Sequence, residues 1–407
     1  MQMNKLKGWM LLAMFLMAFV SKSVAQEADS VLVVADTLTA DSAVVPSFRY
    51  TPWTPEPKKN FWTWLKRNIA GSTSGVSDRK FDYTVVAGPS YSNSASLTLA
   101  GGAMGQYSWD RSDSTLQRSM ISVTGQVSIK GMVSANIVGT NFMKHDRFRW
   151  NYRLKWQLMP IHYWGIGYDY GRKDSYERIN RNMVIFNPEA FVRVAGPLFL
   201  GASMNVNLTN VANLHDASRI QNQSRRVFAV GIGPSLQIDT RDIATNATKG
   251  VFLRLNTLFY PQFANKMPFN SYDLTLSGYQ KLWKGAVLGG ELHGWFNQGD
   301  VVPWSMMAQV ADNGDRMRGY YEGRYRDRNL MELQLELRQH IWWRLGIAVF
   351  GGAANVFDHF DTFQWRHTLP NYGLGIRYEF KRKTNVRLDM GFTKNKPGVV
   401  FSINEAF

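Results

Sequence analysis

The chain is 407 residues long, with 14% aromatic residues, 34 glycines, no cysteine and a formal net charge of +16. The absence of cysteine excludes a disulfide framework, a thiolate zinc site and a lipoprotein anchor. The positive charge suits anionic lipid headgroups or a basic barrel lumen better than it suits nucleic acid, a poor partner for an exported protein.

Residues 1–25 read as an export signal. Lys5 and Lys7 precede an unbroken apolar run from Trp9 to Val20, and Ser23, Val24 and Ala25 lead to a cut ahead of Gln26. The run is too short for a membrane-spanning helix, which takes roughly 20 residues. Residues 26–80 read as a periplasmic linker. Glu27 to Asp41 is acidic, and Pro46, Pro52, Pro55 and Pro57 keep the next stretch extended. From Lys58 to Ile69, the residues Phe61, Trp62, Leu65 and Ile69 fall near one helical face beside basic residues. That segment fits a short amphipathic helix at a membrane interface, a plug in a barrel mouth, or a tether packed on the rim.

Residues 81–407 alternate between apolar and polar side chains, with turn residues between segments. Leu333, Leu335 and Leu337 point one way, and Glu332, Gln334, Glu336 and Arg338 the other. Tyr372, Leu374, Ile376, Tyr378 and Phe380 repeat the pattern against Gly373, Gly375, Arg377 and Glu379. Leucines on one face and charges on the other describe a lipid-facing outside and a wet inside. The expected fold is all-β, a transmembrane antiparallel barrel of about 16 strands. The expected spans are 83–92, 95–109, 116–129, 131–143, 147–158, 183–195, 197–211, 226–241, 250–262, 271–283, 286–298, 328–341, 345–357, 370–380, 385–394 and 399–407. An even count puts both ends of the barrel on the periplasmic side. Lys284-Gly285 and Lys381 to Thr384 then form short periplasmic turns, and the long connections at 163–182, 212–225 and 299–327 lie outside. Tyr163 to Tyr168 could supply a seventeenth strand, but parity assigns it to a loop. A soluble sandwich or propeller would alternate too, with its apolar face inward. The terminal Phe407, with Ile403 and Phe401 before it, favours the barrel, although Glu405 interrupts the series.

Three segments resemble the barrel of the BamA and TamA superfamily. Met317-Arg318-Gly319-Tyr320, in the long connection before the fifth strand from the end, resembles the Arg-Gly-aromatic tip of that family's inward-folded sixth extracellular loop. Asp239-Thr240-Arg241-Asp242 with Thr248-Lys249-Gly250 resembles its turn motif. Five strands then follow the Arg-Gly motif and end in Phe407. The resemblance covers 81–407 and implies that Arg318 meets acids on the next two strands. Glu336 matches the first. At the second, a Phe-x-Asp pattern in the family, Phe350-Gly351-Gly352 places a glycine, and Asp358 lies further along. The loop latch is therefore expected to be weaker or differently arranged. Residues 26–80 are too few and too proline-rich for a POTRA domain, so the chain resembles a member without one.

No residue pattern suggests an enzyme. Gly233-Pro234-Ser235-Leu236-Gln237 lacks the last glycine of a lipase elbow. The seven histidines show no metal-ligand spacing with a plausible third ligand, and His359 between Asp358 and Asp361 reads as a solvated loop. Asp110 and Asp113 could bind calcium in a turn, but a solvated loop is again the better reading. No cofactor and no metal is expected. The expected location is the outer membrane, and the expected partners are its lipid, unfolded outer-membrane protein clients and other envelope proteins. The expected function is outer-membrane protein insertion or translocation of a polypeptide or lipid. A closed diffusion pore or a structural subunit of a larger complex is the alternative.

Overall fold

The computed structural model describes residues 81–407, apart from 93, 111–115, 245, 312–314, 382–383, 395–396 and 404. The expected export signal, linker and amphipathic segment, and Asp113, lie outside the described residues. The strands in chain order are β1 (Phe81–Ser92), β2 (Ser96–Tyr107), β3 (Ser119–Ser128), β4 (Val133–Phe142), β5 (Phe148–Tyr163), β6 (Glu177–Ala195), β7 (Leu198–Ala212), β8 (Arg226–Asp239), β9 (Gly250–Tyr260), β10 (Phe269–Lys281), β11 (Ala286–Gln298), β12 (Ala308–Gln309), β13 (Arg326–Asp327), β14 (Asn329–Trp342), β15 (Leu345–Phe357), β16 (Leu369–Lys381), β17 (Thr384–Thr393) and β18 (Gly398–Ile403). Sixteen of them form one antiparallel sheet in chain order, and β12 pairs with β13 inside the connection 299–328. β1 and β18, the two edges of the sheet, lie side by side.

The outward face is apolar. Tyr372, Leu374 and Ile376 on β16 are exposed, as are Leu345, Ile347 and Val349 on β15 and Leu154, Trp156 and Leu158 on β5. The inward face is polar, with Glu332, Gln334, Glu336 and Arg338 of β14 buried, together with Arg387 and Asp389 of β17. A water-soluble sandwich would bury the leucines and expose the charges. The reverse arrangement is that of a barrel whose solvent on the outside is lipid.

β11 and β15 coincide with the expected spans. β5 and β6 run further, through Tyr163 and from Glu177, so the long connection expected at 163–182 shortens to 164–176. Pro160 and the polar run Glu177 to Asn182 hide this extension in the sequence. The ladder from β4 ends at Leu158, so Pro160 sits where one side of β5 has no strand waiting for its N–H. The ladder of β6 to β7 likewise skips Asn187 and Pro188, and that of β8 to β9 skips Gly233 and Pro234. The last strand ends at Ile403, four residues short of expectation. Beyond it the chain turns inward, because Glu405 finds buried arginines there, as described below.

Both edges of the barrel's chain, the start of β1 and the end of β18, lie at the end bearing the short turns. The connections 164–176, 213–225 and 299–328 all lie at the other end. There the core is apolar. Leu214 and Ile220 of one loop pack with Val302, Trp304, Met306 and Met307 of another, against Ile161, Tyr163, Ile179 and Phe269 of the wall. The Trp304 indole donates to the Ser224 carbonyl at 3.0 Å, fixing one loop to the next. Deeper in the lumen, Val310, Ala311, Met317, Tyr320 and Tyr325 pack on Leu330, Ala354, Val356 and Leu369. The connection 299–328 is therefore folded into the barrel, and its core is what plugs the lumen.

Candidate functional site

Four residues of this inserted loop sit against the wall built by β14, β15, β16 and β17. The Met317 N–H donates to Gln334 Oε1 at 3.1 Å. Arg318 reaches Glu336 Oε2 at 2.6 Å and Asp389 Oδ2 at 2.7 Å, and all three side chains are fully buried. Its guanidinium plane lies 3.5 Å from the centroid of the Phe350 ring. The Arg318 carbonyl accepts from Asn371 Nδ2 at 3.2 Å. Gly319 has φ +106°, and a Cβ there would lie 2.6 Å from the Gly391 carbonyl oxygen. Glycine is required on both counts, the conformation and the close approach. Met317 holds φ +45° without that freedom, a local strain sustained by the contacts on either side. Tyr320 is wedged against the wall and donates its hydroxyl to the Pro370 carbonyl at 2.9 Å.

The second acid of the cluster is Asp389 on β17, and not a residue of β15. Gly352 leaves the β15 position empty of charge. A Cβ there would approach the Leu333 carbonyl and Asn371 Oδ1 at 2.7 Å, so the packing has no room for a side chain. Asp389 instead reaches across the space left by Gly375, its partner in the β16–β17 ladder. Asp358 stays in its loop, 2.9 Å from Arg328. The arrangement departs from the Phe-x-Asp pattern, and its arginine keeps two carboxylates.

The cluster is larger than the motif suggests. Arg377 bonds Asp389, Glu336 at 3.2 Å and Glu405 at 2.8 Å. Arg338 bonds Glu336 at 2.8 Å and the Phe407 carbonyl at 2.8 Å. Arg387 bonds Asp389 at 2.7 Å and Asp315 of the loop. Arginines 318, 338, 377 and 387 thus face the carboxylates of Asp315, Glu336, Asp389 and Glu405, and the formal charges balance. Buried ions need this pairing, because a carboxylate or guanidinium left alone there loses its hydration without return. Glu405, an interruption in an outward-facing series, is explained as an inward anchor. Phe407 follows it inside, with its ring near Arg338 and Tyr279, while Phe401 stays part-exposed on the outer face and Ile403 closes β18 opposite Val386. Asp389, Arg377 and Arg387 carried one readable signal. They fall on the polar face of alternating segments that the sequence already marks as strands.

The turn motif shapes the connection between β8 and β9. Asp239 accepts from Arg241 Nε at 2.9 Å and from Arg149 Nη1 at 2.9 Å. Asp242 accepts from the Thr248 N–H at 2.8 Å, from its hydroxyl at 2.6 Å and from the Lys249 N–H at 3.3 Å. Burial pushes the Asp242 carboxyl up, but these bonds outweigh it and hold it below the usual carboxylate range. Gly250 has φ +100° and packs on the Thr240 carbonyl. This motif lies at the short-turn end, where the Ala247 carbonyl of the same turn accepts from Arg338 Nη1 at 3.5 Å. Its bonds close a turn.

A second set of contacts ties the same loop to the opposite wall. Glu322 Oε1 accepts from Arg181 Nη2 of β6 at 2.8 Å. The Glu322 N–H donates to Ser94 Oγ, in the β1–β2 turn, at 3.1 Å. Tyr321 accepts from the His162 N–H at 3.0 Å and stacks on the His162 ring at 5.4 Å. Sequence reasoning missed this set. Arg181 and Glu322 are 141 residues apart, and no local pattern links them.

A model of the Omp85 superfamily domain matches residues 121–403. The chain belongs to the Omp85 superfamily. No curated protein matches the sequence. Among solved structures, the fold is similar to BamA from Haemophilus ducreyi lacking POTRA domains 1–3, with a TM-score of 0.53 at 10% identity, over 84% of this chain and 77% of that one. It is also similar to CdiB from Acinetobacter baumannii, with a TM-score of 0.50 at 10% identity, over 80% of this chain and 60% of that one. CdiB from Escherichia coli gives 0.50 at 10% identity, over 81% of this chain and 64% of that one. At such identities the likeness is one of fold. This Omp85 member is an outer-membrane β-barrel, and the role of the family is insertion into that membrane or translocation across it.

Proposed function

We propose that this barrel inserts outer-membrane proteins or translocates polypeptides, and that it does so through the seam between β1 and β18. One observation supports this above the others. Ladders join every consecutive pair of strands in the sheet, yet among the described residues none joins β1 to β18, although the two lie side by side. A strand edge with unpaired N–H and C=O groups is a template for an incoming strand. The client class that follows is an unfolded outer-membrane polypeptide. The filled lumen argues against a diffusion pore, which needs a continuous water path where this barrel packs Trp304, Met306 and Tyr320. A structural subunit of a larger envelope complex is the remaining rival.

The test uses cysteine pairs stepped along the two strands, starting at Ala87 and Ser402, with oxidation in native membranes. Crosslinks that stop growth or deplete outer-membrane proteins support a working seam. Crosslinks that form and change neither growth nor envelope composition overturn it in favour of the structural subunit.

A further inference from the structure

Five residues, Arg318 to Glu322, carry the loop from one wall of the lumen to the other. Arg318 ends on β14 and β17 through Glu336 and Asp389. Glu322 ends on β6 through Arg181, and on the β1–β2 turn through Ser94. The positive end meets carboxylates and the negative end meets cations. Lys155 and Arg326 add to the positive field around Glu322. Around the sheet, β17 and β18 lie on one side of the seam, and β1 to β6 lie on the other. The segment is therefore a chord across the arc that contains the seam. Between chord and seam lies a cavity of about 220 Å³, lined by Gln126 and Lys155 on one side and by Gly398 and Val400 of β18 on the other.

We infer that Arg318 to Glu322 is a clasp that holds the two sides of the seam together from inside, and that Glu322 is its releasable end. The inference deepens the proposed seam-gated function and rests on it. The two ends are unequal. Arg318 is locked by two carboxylates and a ring face, and its side chain and both carboxylates are fully buried. Glu322 has one ion pair, in which its own side chain is 18% exposed, and one backbone hydrogen bond. Water reaches the second contact and not the first, so exchange for hydration is open to Glu322 alone. When the clasp lets go at Glu322, Arg181 and the β1–β2 turn lose their ties to the loop, and β1 is freed while the arginine end and the Tyr321 contact with β5 stay in place. Seam separation then needs no withdrawal of the loop from the barrel.

The deciding measurement is a distance across the seam. Spin labels on Val85→Cys of β1 and Met390→Cys of β17, both outward and exposed, report it in detergent and in outer-membrane lipid vesicles, with no client present. Glu322→Gln should shift the distribution to longer distances. Arg181→Met should do the same, and the double variant should do no more than either one. Arg324→Ala, in the same loop but outside the chord, should leave the distribution unchanged. If folded Glu322→Gln keeps the parent distribution, the clasp is wrong. Where Glu322→Gln does not fold, as read by heat-modifiable migration, Ser94→Ala decides: a shift to longer distances supports the clasp and an unchanged distribution overturns it. Growth of a strain carrying only Glu322→Gln separates the two ideas. A widened seam with normal growth and envelope keeps the clasp and sinks the seam-gated function.

Discussion

Arg318 and Asp389 stand 71 residues apart in the chain and meet at 2.7 Å inside the barrel. The contact joins the inserted loop to the strand beside β18. It makes the latch a three-body arrangement, because Glu336 shares the same guanidinium nitrogen at 2.6 Å.

Arg318→Ala should take one arginine from two buried carboxylates at once, leaving Glu336 to Arg338 and Arg377 and Asp389 to Arg377 and Arg387, and the loss should be about 3 kcal/mol, the low end for a broken buried ion pair. The midpoint of heat-modifiable migration and the rate of loop proteolysis both read it. Glu336→Ala should cost less on top of Arg318→Ala than alone, since one of its three arginines is already gone while Arg338 and Arg377 remain. Arg318→Lys should rescue only partly, because an ammonium cannot lie flat on Phe350 while serving both acids. Arg324→Ala should cost no more than about 1 kcal/mol, as its acidic partner Asp174 is 99% exposed. Equal effects at 318 and 324 would show the loop to be a solvated segment with interchangeable arginines.

Gly352→Asp tests the relocation of the second acid. It restores the Phe-x-Asp pattern of the family, so pattern matching expects a stronger latch. The geometry gives the opposite result, because the new Cβ would lie 2.7 Å from a backbone carbonyl of β14 and would bring a fifth carboxylate to a balanced cluster. The variant should have a lower melting point and a more protease-sensitive loop, and Asp389→Gly in the same chain should not restore either. Recovery in that double variant would show that the β15 position remains usable.

The β8–β9 turn should weaken in acid. The folded Asp242 carboxyl lies below its ordinary value, so its stabilisation is complete above the ordinary carboxylate range and fades as pH falls through the folded value. Amide exchange of Thr248 and Lys249 should accelerate over that acid window. Asp242→Asn should abolish the pH dependence, and Thr248→Ala should move the window upward by removing the hydroxyl bond while both backbone N–H bonds remain. An unchanged exchange profile in Asp242→Asn would assign the acid sensitivity elsewhere, with Asp239 the next candidate.

Gly319→Ala should displace the loop without touching a charge. Alanine at φ +106° is strained, and its methyl would press on the Gly391 carbonyl at 2.6 Å. The expected outcome is a loss similar in kind to Arg318→Ala, measured by the same gel shift, and larger than that of Gly196→Ala, where a Cβ meets nothing within 4 Å. Parity between the two glycines would mean that backbone conformation alone, and not the approach to β17, sets the cost.

The barrel itself was legible because a period of two is written locally. Leu333, Leu335 and Leu337 against Glu332, Gln334 and Glu336 reveal the strand and its two faces, and Phe407 favours the reading that puts the leucines in lipid. Arg318 and Glu336 were legible through a resemblance of short motifs. Asp389 was not, since an alternating segment tells which face a residue takes and says nothing about which loop will arrive there. Glu322 and Arg181 were hidden for the same reason. The inward turn after Ile403 was hidden by a different one: Glu405 reads as a flaw in an outward series until Arg377 and Arg338 are seen waiting for it.

A chord of fixed length also limits shape. Extended chain reaches no more than about 3.6 Å per residue. While both ends of Arg318 to Glu322 hold, the walls carrying Asp389 and Arg181 cannot draw far apart, and any breathing of the cylinder must flatten it along one axis. Ellipticity then becomes a property encoded by loop length. Inserting two glycines between Tyr320 and Tyr321 would leave every ion pair its partner and yet let the cross-section become rounder.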